Sequence, residues 1–317
     1  MDQRRPEVAW ASSPCLRVFF RVPRYDLLAI DLDGTLLGPA GAVSAPNKAA
    51  LERAREQGIR VIICTGRGLV ECRHILEAID QQDPVVVAGG SIISDPVTSR
   101  TIHRFAIDLP LVESAVERLI AHDHPALVLK DPVEAGYDYL VIRGRQRLPL
   151  DPVTEWWFAQ MNVKVRFADH LSDDEHPEHT VRVGACGLSG TLGRIMQDLA
   201  SVCDGRACVH SFPAVVAPEH ASRAKDGQTL HVLELFDVGA NKWSAVQVLA
   251  ERLGVDPGRI AAIGDEINDL SMVQGAACGI AMGNAVPAVK AAAKRQTNSH
   301  AEDGVAHAID QLLAGVW

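Results

Sequence analysis

A chain of 317 residues is long for one core and comfortable for two domains, since a domain takes roughly 100–200 residues. With 47% hydrophobic and 22% charged residues it is neither a disordered chain nor a collagen-like repeat or coiled coil. The net charge of -9 and an aromatic content of 5% argue against non-specific nucleic-acid binding, which needs clustered cations and stacking platforms. An anionic small substrate stays open, because a metal ion can supply positive charge locally.

Residues 1–24 read as an extension ahead of the fold. No apolar run reaches the roughly 18–20 residues of a membrane span, and no cleavable leader stands out. Leu27-Leu28-Ala29-Ile30 reads as a strand buried on both faces of a parallel sheet. Ser44 is a good N-cap for a helix that Gly58 stops. Ile59–Cys64 is a second strand, Gly66–Asp80 a helix, and Pro84–Ala88 a third strand ending in Gly89-Gly90. This alternation predicts an α/β fold, a doubly wound parallel sheet of Rossmann type.

From about Ile92 the rhythm changes. Strands are predicted near Arg100–Phe105, Ala126–Lys130, Tyr139–Arg143, Val163–Phe167, Thr180–Ala185 and Ala207–Phe212, with helices at Leu111–His122 and Thr191–Val202. This is an α+β pattern with an open antiparallel sheet. After His231 the α/β rhythm resumes: helix Lys242–Leu253, strand Arg259–Ile263, a helix from Asn268, strand Cys278–Ala281, and helices Val286–Lys294 and Val305–Leu313. The expected organisation is a discontinuous core, 25–91 and 229–317, interrupted by an inserted domain at 92–228.

Asp31-Leu32-Asp33-Gly34-Thr35 follows the first strand. In an open α/β sheet ligands bind beyond the carboxyl ends of the strands, and two aspartates two residues apart can share a hard cation. Alone, Asp-x-Asp-Gly is more often a turn than a site. Thr65-Gly66-Arg67 ends the second strand and opens a helix, an arrangement suited to an anion and also to plain capping. Lys242 opens a later helix, and Gly264-Asp265-Glu266-Ile267-Asn268-Asp269 follows a further strand end. The four clusters fall in that order on the strand ends and helix starts of one sheet.

In these residues the chain resembles the haloacid dehalogenase superfamily of phosphatases, in the Cof-like branch with a large α/β cap (type IIB). Ala281-Met282-Gly283-Asn284-Ala285 and Glu302-Asp303-Gly304-Val305 fit as well. The resemblance implies a phosphoric monoester hydrolase acting on a small phosphorylated metabolite, a sugar phosphate or polyol phosphate. It implies Asp31 as nucleophile and Asp33 as general acid, then base. Mg2+ is expected on the Asp31 carboxylate, the Asp33 carbonyl and Asp265. Leu32, Thr65, Gly66, Lys242 and Asn268 are expected to contact phosphate, with Asp269 orienting Lys242 or a metal-bound water. Glu266 is read as a helix-start acid rather than a further metal contact. The inserted domain would close over this site.

Two departures bear on this: Trp243 stands where the family has Gly, and Gly89 where it has Asn. Trp243 shares a helical face with Val246, Leu249 and Leu253 and is read as packing. The two departures keep open a silent binding module, and the branch itself keeps open a phosphomutase. The seven cysteines (15, 64, 72, 186, 203, 208, 278) suggest reduced thiols and a cytoplasmic location. Cys203, Cys208 and His210 lack a fourth metal partner. His170, His176 and His179 read as a solvated loop. Neither nucleic acid nor membrane is an expected partner, and oligomeric state is left open.

Overall fold

The computed structural model describes residues 23–214 and 227–317. Most of the expected N-terminal extension, Cys15 included, lies outside the described residues. The core is an eight-stranded sheet built on β1 (Leu27–Asp31), every residue of which is buried. β1 runs parallel to β2 (Arg60–Cys64) on one side and β12 (Ile260–Gly264) on the other. The order is β14-β13-β12-β1-β2-β3-β4-β5, with β13 (Cys278–Ala281) and β14 (Arg295–Gln296) continuing the parallel run beyond β12. Because β12, β1 and β2 are adjacent and parallel, the segments after Asp31, Cys64 and Gly264 emerge side by side at one edge. That is the crevice in which α/β sheets bind ligands.

Local signals account for the helices flanking the sheet. Ser44 caps α1 (Ala45–Glu56), its Oγ accepting from the Asn47 amide at 3.2 Å. Gly58 then takes a left-handed φ of +83° that frees the chain to enter β2. α2 (Leu69–Ala78) is shorter than the expected Gly66–Asp80, because Thr65–Gly68 remain a loop. α7 (Lys242–Leu253) is capped by Asn241, whose Oδ1 accepts from the Ser244 amide at 2.9 Å. The last segments are α8 (Leu270–Gly275), α9 (Pro287–Ala292) and α10 (Gly304–Leu313).

Sheet membership places three strands otherwise than the expected division of the chain. β4 (Ile92–Ser94) and β5 (Thr101–Arg104), expected in the inserted domain, pair antiparallel onto β3 (Val85–Val87) and extend the core sheet. The Ala88–Gly90 turn, with Ala88, Gly89 and Gly90 all at positive φ, folds the chain back tightly enough for β4 to pair at once. Conversely β11 (Leu230–Asp237), expected in the core segment, lies in the second sheet between β9 (Thr180–Leu188) and β10 (Ala207–Pro213).

That second sheet has six strands in the order β10-β11-β9-β6-β7-β8. β6 is Ala126–Lys130, β7 Tyr139–Ile142 and β8 Val165–Ala168. It is mixed rather than antiparallel throughout, because β7 and β8 pair in parallel. Helices α3 (Leu109–Ala121) and α6 (Ser189–Cys203) cover one face through Val112, Leu119, Leu192, Ile195 and Leu199, packed on Val128, Val183, Leu233 and Leu235. The opposite face carries Leu129, Tyr139 and Val141, which cluster with the core domain. Two short helices, α4 (Pro132–Ala135) and α5 (Pro152–Gln160), complete this cap. Among the described residues no helix is long and apolar enough to cross a membrane.

Candidate active site

At the strand-end edge a buried ammonium meets buried carboxylates. The Lys242 side chain is fully buried, and its Nζ donates to Asp31 Oδ1 at 2.5 Å and Asp269 Oδ1 at 2.6 Å. The other Asp269 oxygen accepts the Asp265 and Glu266 amides, each at 3.0 Å, which fixes the carboxylate beneath the turn. Gly264 is required there, because a Cβ would fall 2.5 Å from the Asp269 Cβ. Asp265 is held from two sides, by Thr35 Oγ1 at 2.8 Å and Asn284 Nδ2 at 3.2 Å, while the same Asn284 amide donates to the Gly34 carbonyl at 2.8 Å. Gly34 sits at φ +75°, where a Cβ would come 2.3 Å from Asp265 Oδ2, so the loop closes on that carboxylate only with glycine.

Asp31, Asp265 and Asp269 bring one oxygen each within 4.8 Å of one another. Three carboxylates against one ammonium leave a formal excess of two negative charges. Burial pushes the Asp31 carboxyl well up, with the charges of Asp269 and Asp265 adding and Lys242 opposing. Burial likewise pushes Asp265 up to about 6, opposed by its Thr35 hydrogen bond and reinforced by Asp269. For Lys242 burial disfavours the charge, but the two carboxylates outweigh it and hold the ammonium. A hard divalent cation matches this donor set in both charge and chemistry, so the residues present fit one.

Around this centre the other expected residues take distinct places. Thr65 is fully buried at the end of β2, its Oγ1 accepting the Arg67 amide at 3.1 Å. Asn268 is exposed, its amide nitrogen 4.0 Å from where a Gly66 Cβ would sit, so it borders the Thr65–Gly66 loop. The Leu32 side chain belongs to the core, which leaves only its backbone for the site. Asp33 points outward, gripped by Arg67 through Nε at 2.9 Å and a terminal nitrogen at 2.5 Å. Glu266 bonds its own turn, accepting from the Ile267 amide at 2.8 Å.

Of the two departures from the family pattern, Trp243 has a packing basis and Gly89 has none in its surroundings. The Trp243 indole lies on α8, where a Gly275 Cβ would fall 2.3 Å from it. Gly89 donates its amide to the Thr65 carbonyl at 3.0 Å, and Gly90, at φ +106°, passes so close to Asn241 that a Cβ would fall 2.2 Å from its carbonyl carbon.

Several residues at this site were not anticipated from sequence. Thr35 and Asn284 lay inside quoted motifs without a role. Others come from the cap. Arg182 on β9 is buried, reaches to 3.5 Å of the Gly66 carbonyl, pairs with Glu234 at 2.6 Å and donates to the Tyr139 hydroxyl at 3.1 Å. Trp157 on α5 donates to Glu71 Oε1 at 2.8 Å, and the other Glu71 oxygen accepts the Gly68 amide at 2.5 Å, capping α2. The signal for Arg182 and Glu234 was present: a charge flanked by buried apolar residues in each strand, Val181-Arg-Val183 and Leu233-Glu-Leu235.

Residues 28–309 match the haloacid dehalogenase-like hydrolase family. The chain belongs to this family. A 5-amino-6-(5-phospho-D-ribitylamino)uracil phosphatase of Bacillus subtilis, YwtE, is 30% identical to it over 303 residues, 92% of this chain and 99% of that protein. An HMP-PP phosphatase of Citrobacter koseri is 28% identical over 277 residues, 82% of this chain and 85% of that one. Among solved structures, a haloacid dehalogenase-like hydrolase from Bacteroides thetaiotaomicron superposes with a TM-score of 0.72 at 26% identity, covering 91% of this chain and 99% of its own. The expected enzyme class, phosphoric monoester hydrolase, and the Cof-like branch stand with this membership.

Proposed function

We propose that the chain is a Mg2+-dependent phosphatase of a small phosphorylated metabolite, a sugar or polyol phosphate, working through a phosphoryl-aspartate on Asp31. The observation that carries this reading is the buried Asp31–Lys242–Asp269 array beside Asp265, with its two unmatched negative charges. Asp31, Asp265 and the Asp33 backbone carbonyl would hold the cation. When bound, it neutralises the repulsion between an anionic nucleophile and an anionic ester.

Lys242 draws charge from Asp31 Oδ1 and aligns that carboxylate for attack on phosphorus; the P–O bond to the leaving group breaks as the Asp31 O–P bond forms. Asp33 donates the proton that the leaving oxygen takes. It then accepts one from the water that cleaves the acyl phosphate, returning Asp31 as a carboxylate. Since Arg67 grips Asp33 in this structure, Asp33 must exchange that pairing for the leaving oxygen during the cycle. Thr65, the backbone at Leu32 and Gly66, Asn268 and Lys242 would hold the phosphoryl oxygens. Asp269 acts by orienting Lys242.

The substrate class rests on the relatives whose names specify phosphorylated small molecules, the ribityl phosphate ester of the Bacillus subtilis protein among them. The silent-module reading loses half of its motive, because close packing against Gly275 accounts for Trp243, whereas a Cβ at Gly89 would meet nothing within 4 Å and no contact explains that departure. Six described cysteines are free thiols, in keeping with a reducing, cytoplasmic setting. The test is phosphate release from a panel of sugar, polyol and nucleotide phosphates, with Mg2+ or with chelator. Release that needs Mg2+, needs no bisphosphate activator and favours polyol or sugar esters supports the reading. An absolute bisphosphate requirement would assign a mutase, and no release from any ester would overturn the proposal.

A further inference from the structure

The cap loop ahead of β9 holds a second group of metal-competent side chains, about which the phosphatase reading says nothing. We propose that His176, Glu178 and His179 form a binding site for a borderline divalent cation of the Zn2+ class. Each offers one ligand atom within 4.8 Å of the others. His179 Nε2 lies 3.1 Å from Glu178 Oε1. Two ligands on a tetrahedral Zn2+, with bonds of about 2.0–2.1 Å, stand roughly 3.3 Å apart, so this pair is already at coordination spacing. The His176 and His179 rings, with centroids 5.9 Å apart, close the third side.

Two observations separate this group from an ordinary solvated loop. The first is an unmet polar atom: His179 Nδ1 is buried and has no hydrogen-bond partner, so the fold satisfies that ring only through the Nε2 that faces Glu178. The second is a backbone that does not need the side chains to hold it. Fully buried Lys130 donates to the His176 carbonyl at 3.1 Å and to Thr180 Oγ1 at 2.7 Å, and it is ion-paired with Asp174. Asp174 Oδ1 in turn accepts the His176 amide at 3.0 Å, and the Asp131 amide donates to the His179 carbonyl at 2.9 Å. With the main chain fixed, little conformational freedom remains to be lost on binding.

The ligand chemistry sets the cation class. Two imidazoles and one carboxylate suit Zn2+, Co2+ or Ni2+ better than Mg2+, which prefers all-oxygen sites. Three protein ligands leave a fourth position for water. The site also adjoins the joint between the domains, because Asp131 accepts from Thr101 Oγ1 at 2.7 Å and from Arg104 at 3.0 Å, both on the outermost strand of the core sheet. A bound cation would therefore stiffen the cap where it meets the core.

The test is titration of chelator-treated, untagged full-length protein with Zn2+ by calorimetry, in excess Mg2+ so that the acidic cluster is engaged. Co2+ then serves as a spectroscopic probe. The expected result is one equivalent bound with micromolar or tighter affinity, weakened at least tenfold in both His176→Ala and His179→Ala. The Co2+ spectrum should lack thiolate charge-transfer bands, and Mg2+-dependent phosphate release should be unchanged. Glu178→Gln, which keeps the shape of the side chain, guards against misfolding and should weaken binding severalfold at an unaltered metal-free melting temperature. Zn2+ binding equal in wild type and the histidine variants, thiolate bands with Co2+, or no binding at 100 times the protein concentration would each overturn the site.

Discussion

Two buried charge clusters face each other across the domain boundary, and they differ in balance. On the core side three carboxylates surround one ammonium; on the cap side Arg182 pairs one for one with Glu234 and donates to the Tyr139 hydroxyl, with Glu71 of the core as the next charge. Burial raises Glu234 as it raises Asp31, but in the cap one guanidinium answers one carboxylate. A balanced buried pair can stand without help if it is well hydrogen-bonded. An unbalanced one calls for a counter-ion, and that imbalance separates a reacting centre from the scaffold orienting it. The core cluster should therefore govern whether phosphate is transferred, and the cap cluster which ester is presented.

The largest expected effect tests the core side. Lys242→Met removes the sole cation from between Asp31 and Asp269; stranding one partner of a buried pair costs about 3–5 kcal/mol. Denaturant unfolding should show that loss in metal-free protein, together with turnover reduced by at least about 10³-fold. Full activity in this variant would break the contrast at once.

On the cap side, Arg182→Ala should act mainly through presentation of substrate. Losing a charge-assisted hydrogen bond worth about 1.5–3 kcal/mol corresponds to roughly ten- to hundredfold in kcat/KM. Steady-state kinetics should show the loss for the preferred polyol or sugar ester and much less for a small aryl phosphate. An equal loss on both substrates would place Arg182 with the core chemistry.

Acid titration separates the clusters in another way. Asp265 has a folded value of about 6, above that of an unfolded aspartate, so the metal-free fold binds protons more tightly than the unfolded chain. That contribution is complete below the unfolded value and is lost as pH rises through about 6. Metal-free protein should thus lose stability between about pH 4 and 6, and saturating Mg2+ should restore it at neutral pH. Melting curves across that range, with and without metal, provide the check; coincident curves would mean that the cluster holds no cation.

The smallest effect concerns the tie between the domains. Trp157→Phe removes the indole N–H that reaches Glu71 together with part of the ring, and the lost hydrogen bond alone should lower stability by about 0.5–1.5 kcal/mol. Turnover of the aryl phosphate should change little.

The contrast also explains what could be read in advance. Asp31, Thr65, Asp265 and Lys242 each lie at a strand end or helix start, where local patterning fixes backbone position. The four segments converge because one parallel sheet aligns those ends. Arg182, Glu234, Tyr139 and Trp157 converge only through the cap's strand order and its seating on the core, which no local signal encodes. The same reason hid the placement of β4, β5 and β11. β4 is apolar and buried while β5 and β11 are mixed and half-buried, and in each case only pairing decides which sheet the strand joins.

The central claim is that Asp31 carries the phosphoryl group. The most direct measurement is acid quench during turnover of a good ester with Mg2+, followed by peptide mass mapping. The account predicts a phosphoryl adduct on the peptide containing Asp31, fragmenting to that residue and absent in Asp31→Asn, whose turnover falls at least about 10³-fold. An adduct on another residue, or an Asp31→Asn enzyme that turns over at the wild-type rate, would contradict it.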